Sequence, residues 1–206
     1  MASTTTSAMS DRPFIRGLRE PLEIMTKITG VADCLVSVNP SHSIATYALG
    51  SCIAVAVHDP VAIVGGLLHF LLPYSTLDPD RARENPFVYG DSGVPELVRR
   101  CLDAGANRRR LVVRAAGGAT VLDKHGFFDV GRKNYLSLQK ALWKSGLALD
   151  AECIGGVVAR SLRLNVGSGD LWIKEGDQTD WRSFPVRNAN AGQENIHVGT
   201  YSRTHR

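Results

Sequence analysis

The sequence lacks several features, and each absence removes a class of function. Its four cysteines, Cys34, Cys52, Cys101 and Cys153, are far apart, so no CxxC metal or redox motif exists. His42, His58 and His125 show no metal-ligand spacing. Asp59-Pro60 and Gly65-Gly66 interrupt the longest apolar stretch, leaving none at the roughly 20 residues a membrane-spanning helix needs. No basic run is interleaved with aromatics. The net charge of +4, partly from Arg108-Arg109-Arg110, therefore reads as solvated surface and not as a nucleic-acid site, although a mild positive field favours an acidic partner surface. A basic region followed by an apolar run is missing from the first residues, so no secretory signal is expected. A cytoplasmic, reducing location with four free thiols is the expectation that follows.

What is present is globular. The 206 residues are 44% hydrophobic and 21% charged, enough for one domain with a sizeable core. Residues 1–17 are small, polar and aperiodic, and residues 176–206 are rich in Asn, Gln, Arg, Thr and His. Both read as flexible tails around a domain at residues 18–175. Residues 32–38, 43–49, 53–58, 63–72, 111–116 and 148–154 read as strands, and residues 161–166 and 171–174 as a hairpin around Gly167-Ser168-Gly169-Asp170. Residues 77–89 are charged and proline-containing and read as a loop. Ser92 reads as the cap of a helix whose Val94, Leu97, Val98, Cys101 and Leu102 form one apolar face, with Gly105 as its stop. Residues 131–145 are a second helix, with Leu138, Ala141 and Leu142 on one face. The pattern is α+β or mixed α/β, with antiparallel pairs dominating.

Residues 46–73 hold the chemistry. Cys52 follows a Gly50-Ser51 turn, and His69 lies in a second apolar run beyond Asp59-Pro60. Two strands around Asp-Pro predict an antiparallel hairpin. With His58 opposite Val61, Cys52 faces Leu67, and His69 sits one diagonal step further on the same face, roughly 7–8 Å away for an ideal pair. A slip of one residue would put them on opposite faces. A thiol needs a base to become a nucleophile, and an imidazole supplies one. Thr46, through its hydroxyl or its backbone carbonyl, is a candidate to fix the histidine ring. Backbone N–H groups at Gly50 and Ser51 are candidates for an oxyanion site. The bland alternative is a core cysteine and a hydrogen-bonded core histidine, and spacing does not choose between the two.

The run Thr46-Tyr-Ala-Leu-Gly-Ser-Cys52, then Asp59-Pro60 and Gly65-Gly66-Leu-Leu-His69-Phe-Leu-Leu-Pro73, resembles the signature of the CheD family, chemoreceptor glutamine deamidases of bacterial chemotaxis. The likeness continues through Tyr89, Asp91, Gly117-Gly118-Ala119, Gly131 with Asn134, and Gly155-Gly156 with Arg160. It implies Cys52 as nucleophile, His69 as base and acid, and Thr46 as the residue orienting the histidine. It implies a layered helix–sheet–sheet–helix fold similar to the catalytic domain of the cytotoxic necrotizing factor toxins. The implied substrates are glutamines on the helical cytoplasmic domains of methyl-accepting chemotaxis receptors, with no cofactor and no membrane insertion. A CheC-type phosphatase is a further implied partner, and a CheD-like adaptor with little turnover is the alternative reading. Tyr47-Ala48 stands where the family more often has Leu-Gly, Val157-Val158-Ala159 where it is more polar or glycine-containing, and Lys133 where arginine is common.

Gly90-Asp91-Ser92-Gly93 looks like the nucleophile loop of chymotrypsin-like proteases, but it opens a helix pattern and reads as a cap. Gly117-Gly118 lacks the Lys-Ser/Thr of a phosphate loop and reads as a tight turn. Cys34, Cys101 and Cys153 read as core residues.

Overall fold

The computed structural model describes residues 24–120 and 129–184. His125 and much of both expected tails lie outside them. Two five-stranded mixed sheets stack face to face, and helices cover one of them.

The first sheet runs β1 (Met25–Ile28), β3 (His42–Leu49), β8 (Arg160–Asn165), β9 (Leu171–Glu175) and β10 (Arg182–Ser183) in spatial order. The second runs β2 (Asp33–Ser37), β5 (Val64–Phe70), β4 (Ile53–Asp59), β6 (Val112–Gly117) and β7 (Ala151–Ile154). Only β1–β3 and β6–β7 pair in parallel. The α+β class expected from the sequence is the one observed.

Side-chain alternation sorts β4 and β5 into two faces. Ile53, Val55, Val57, Leu68 and Phe70 pack against α2 (Gly90–Asp103) and α3 (Val130–Lys144), through Val94, Leu97, Val98 and Cys101 on one helix and Leu138, Ala141 and Leu142 on the other. The opposite face carries Ala54, Ala56 and Leu67, which meet Ile44, Leu49, Leu162, Leu164, Leu171 and Ile173 of the first sheet. Small residues let the sheets close up. A methyl group on Gly65 would sit 3.0 Å from Val166 Cγ2.

The layering departs from expectation on one side. Among the described residues no helix covers the outer face of the first sheet. Trp181 lies there instead, with the Arg163 guanidinium 4.8 Å and Lys174 Nζ 5.6 Å from its ring centroid, and Tyr47 edge-on at 6.3 Å. Cations over aromatic faces and a mostly polar strand surface make that face compatible with water. The chain from Gly176 to Phe184, placed in the polar tail on composition, pairs through β10 and buries Phe184. One anchoring aromatic outweighs the polar residues around it.

Two local expectations are corrected. Residues 77–89 contain a short helix α1 (Pro79–Glu84), with Asp78 accepting from the Arg81 N–H and proline at its first position. Helix α2 starts at Gly90 and carries Pro95 inside its first turns, and Ser92 does not cap it. Ser92 Oγ donates to the Pro86 carbonyl (2.6 Å) and Asp91 accepts from Ser75, so the Gly-Asp-Ser-Gly run ties a loop to a helix start.

Candidate active site

The hairpin's register places the site. His58 faces Gly65 and Ile53 faces Phe70, so the pairing is displaced from His58–Val61 by an even number of residues and parity survives. The displacement comes from the turn. Asp59 accepts the N–H groups of Val61 (2.9 Å) and Ala62 (3.1 Å), which lengthens the loop, and Ile63 closes it at φ 53°. His69 stands opposite Ala54, and Cys52, two residues before Ala54, lies on the same inter-sheet side.

Thr46 arrives from the other sheet. Its Oγ1 is 2.8 Å from His69 Nδ1, and both residues are buried. The hydroxyl, not the backbone carbonyl, is the orienting group. In the tautomer protonated on Nδ1, the ring donates to Thr46 Oγ1 and Nε2 keeps its lone pair. That Nε2 is buried and has no hydrogen-bond partner among the described residues.

After Thr46, β3 bulges. Its register against β8 shifts between Thr46 and Leu49, and exposed Ala48 sits at φ 58°. A side chain in that left-handed conformation is strained where glycine is not. Ala48→Gly should raise stability by about 0.5–1 kcal/mol, read as a melting temperature higher by roughly 1–4 °C; a lower value would mean the bulge needs the methyl.

The turn before Cys52 is fastened from three sides. The Gly118 N–H donates to the Cys52 carbonyl and the Ala119 N–H to the Gly50 carbonyl, both at 2.8 Å. Asn134 Nδ2 donates to the Ser51 carbonyl at 2.9 Å. Gly117, at φ 121°, must be glycine: a Cβ there would lie 2.1 Å from the Cys52 oxygen. Gly117-Gly118 is thus a tight turn against the cysteine. Of the expected oxyanion donors, the Gly50 N–H is spent on the Ala48 carbonyl, and the Cys52 N–H is a further candidate, since it acts electrostatically on its own sulfur.

Burial pushes the Cys52 thiol up, partly offset by its own backbone N–H. Burial also lowers His69, to about 4. Both shifts favour a thiol and a neutral imidazole over a thiolate–imidazolium pair. Peptide-resolved alkylation of Cys52 by iodoacetamide should accelerate steadily from about pH 7 to about pH 10. A plateau beginning below neutrality would show a standing thiolate–imidazolium pair.

Cys34 and Cys101 are buried in the helix-covered core, which pushes both thiols up to about 12. Cys153 is half-buried, 3.6 Å from Glu175 Oε1, which also pairs with Arg160. His42 bonds Ser37 Oγ (2.7 Å), and His58 Nε2 bonds the Val166 carbonyl (2.9 Å). Asn134, given no role in the sequence, shares a helix stripe with Leu138 and Ala141. A polar residue on that apolar stripe was the available signal.

Comparison with known proteins identifies the family. The family model described as CheD chemotactic sensory transduction matches residues 71–175, a span that begins just beyond His69. The chain is 51% identical over 165 residues to a probable chemoreceptor glutamine deamidase CheD of Solibacter usitatus, covering 79% of this chain and 98% of that protein. It is 42% identical over 147 residues to one from Syntrophus aciditrophicus, covering 71% and 92%. The chemoreceptor glutamine deamidase CheD of Thermotoga maritima is 36% identical over 151 residues, covering 73% and 92%.

Proposed function

Since this chain belongs to the CheD family, we propose that it is a protein-glutamine deamidase acting on the cytoplasmic domains of chemotaxis receptors by a cysteine mechanism. The observation that carries the mechanism is the Thr46–His69 hydrogen bond across the two sheets, with Cys52 on the same side.

His69 Nε2 takes the Cys52 proton as the sulfur attacks the side-chain amide carbon of a glutamine. Negative charge moves to the amide oxygen, which the Cys52 N–H is placed to receive. The imidazolium returns the proton to the amide nitrogen, ammonia leaves, and a thioester joins Cys52 to the substrate. His69 then deprotonates a water that attacks the thioester carbon. Glutamate and the free thiol result, so the net reaction is amide plus water to carboxylate and ammonium. Thr46 keeps the imidazole in the tautomer with Nε2 free. Deamidation adds a negative charge to the receptor at each site, and on this reading it serves adaptation in chemotaxis.

Val157 and Val158 are exposed, the former at 73%. Their loop follows β7, two strands from β4 and the Cys52 turn, and is tied by Gly155 to Gly117 and by Thr120 to Gly156. An apolar rim of this kind suits the ridge of a helical substrate. A phosphatase of the CheC type is a further proposed partner, and the cytoplasm the proposed location.

The test is to incubate the purified protein with a receptor cytoplasmic fragment and to follow ammonia and peptide masses. Conversion of particular glutamines to glutamate is expected. No ammonia and no mass change on receptor fragments, with the protein folded, would overturn the reading in favour of an adaptor.

A further inference from the structure

The two strands of the central hairpin part company at the site. Their ladder ends at Ile53–Phe70. Beyond it the Leu71 N–H donates to the Val88 carbonyl (3.0 Å), while the Cys52 carbonyl accepts from Gly118 (2.8 Å). The splay makes room around the sulfur, but it strips the Ser51 and Leu71 carbonyls of ladder partners. Asn134 enters this fork from α3. Its Nδ2 donates to Ser51 O at 2.9 Å and to Leu71 O at 2.8 Å, and the residue is 0% exposed. Burying an amide on an apolar helix stripe is unfavourable unless its bonds are made. Here both are made to the residues flanking the reactive pair, Ser51 just before Cys52 and Leu71 two after His69.

We propose that Asn134 is a positioning residue for the reaction: by holding the Ser51 carbonyl it sets the plane of the Ser51–Cys52 peptide and aims the Cys52 N–H at the sulfur and the developing oxyanion. The inference rests on the reading of Cys52 as nucleophile. Its physical basis is peptide planarity. In a trans peptide the C=O and the following N–H point in opposite directions, so a carbonyl drawn toward α3 turns the N–H away from α3. Electrostatically that N–H favours the thiolate, opposing the effect of burial. The bond to Leu71 fixes the end of the histidine strand to the same amide, so one side chain sets both halves of the site. The role calls for a donor: Asn134 Oδ1 has no hydrogen-bond partner among the described residues.

The test uses Asn134→Asp, which keeps size and removes the donor, and Asn134→Ala. Ser137→Ala is the control, since Ser137 is also buried on α3 and donates to the Pro73 carbonyl, away from the Ser51–Cys52 peptide. Peptide-resolved alkylation of Cys52 at about pH 8 should slow roughly 10-fold in both Asn134 variants, with the rate–pH curve moved to higher pH. The kcat on receptor fragments should fall about 10–100-fold with KM within about two-fold. Ser137→Ala should melt earlier yet keep wild-type alkylation and kcat. Asn134 variants that melt earlier but keep both rates within about two-fold of wild type would make Asn134 a purely structural residue and overturn the proposal. Should Asn134→Ala not fold, the isosteric aspartate variant decides. Alkylation needs no substrate, so a wild-type protein that fails to deamidate would sink the functional reading and leave Asn134 to be judged on the thiol alone.

Discussion

On the proposed cysteine mechanism, Cys52→Ala should lower deamidation by about a thousand-fold or more without unfolding the protein. The size follows from the chemistry: no thioester forms without the sulfur, and the remaining groups only bind and polarise the amide. Folding is spared because Cys52 is half-buried at the margin of β4, outside the ladder, and makes its fastening bonds through its backbone. Removing the base acts on the same step: His69→Gln leaves a side chain near Thr46 but no Nε2 lone pair, and should cost about 10²–10⁴-fold. Ammonia release and peptide mapping on receptor fragments check both. Glutamate formation that persists in Cys52→Ala would place the nucleophile elsewhere.

Asp59→Ala carries the largest expected loss of stability, about 3–5 kcal/mol, or roughly 6–20 °C in melting temperature. Asp59 is 0% exposed. It receives Arg110 through Nε (2.9 Å) and Nη2 (2.8 Å), together with the N–H groups of Asn107 (2.7 Å), Val61 and Ala62. Removing the carboxylate takes the protein acceptor from all of those donors at once; Arg110, about a third exposed, can turn to water, while each donor that stays shielded costs about 1–3 kcal/mol. The Arg110 guanidinium, with the backbone donors, holds the carboxyl well below the usual range. Its stabilisation is therefore complete above about pH 4 and is lost on acidification through the folded-state value. Asp59→Asn should lose much of the same and flatten the acid limb of a stability–pH curve. Because Asp59 also sets the length of the hairpin turn, its loss should loosen the register that puts Cys52 and His69 on one face. Thermal melts at two pH values check this; a melting temperature within about 2 °C of wild type would show that Arg110 and the loop re-pair with solvent at no cost.

Much of this was legible in the residues. Runs of β-branched and apolar residues, broken at Asp59-Pro60 and Gly167–Asp170, marked the strands of both hairpins. The spacing of Val94, Leu97, Val98 and Cys101 marked the helix that covers the second sheet. These signals are local, and hydrophobic periodicity records them directly. Parity, too, is a property of sequence: any even displacement of the hairpin keeps Cys52 and His69 together, which is why a wrong turn length still gave the right face. The α1 turn and β10 escaped because short elements held by one cap or one buried aromatic leave almost no periodic trace.

By itself, then, the sequence determined the central hairpin and the motif that joins this chain to its family, and it allowed thiol and imidazole a shared face under one parity of register, which the observed pairing has. Only the tertiary structure decided that the Thr46 hydroxyl, from the other sheet, meets Nδ1, that Gly118 and Asn134 hold the turn at Cys52, and that burial disfavours the charged form of both thiol and imidazole. The reason is separation along the chain. Asn134 reaches Ser51 across 83 residues, and a contact of that span follows from the stacking of sheets and helix, which no local run of residues encodes.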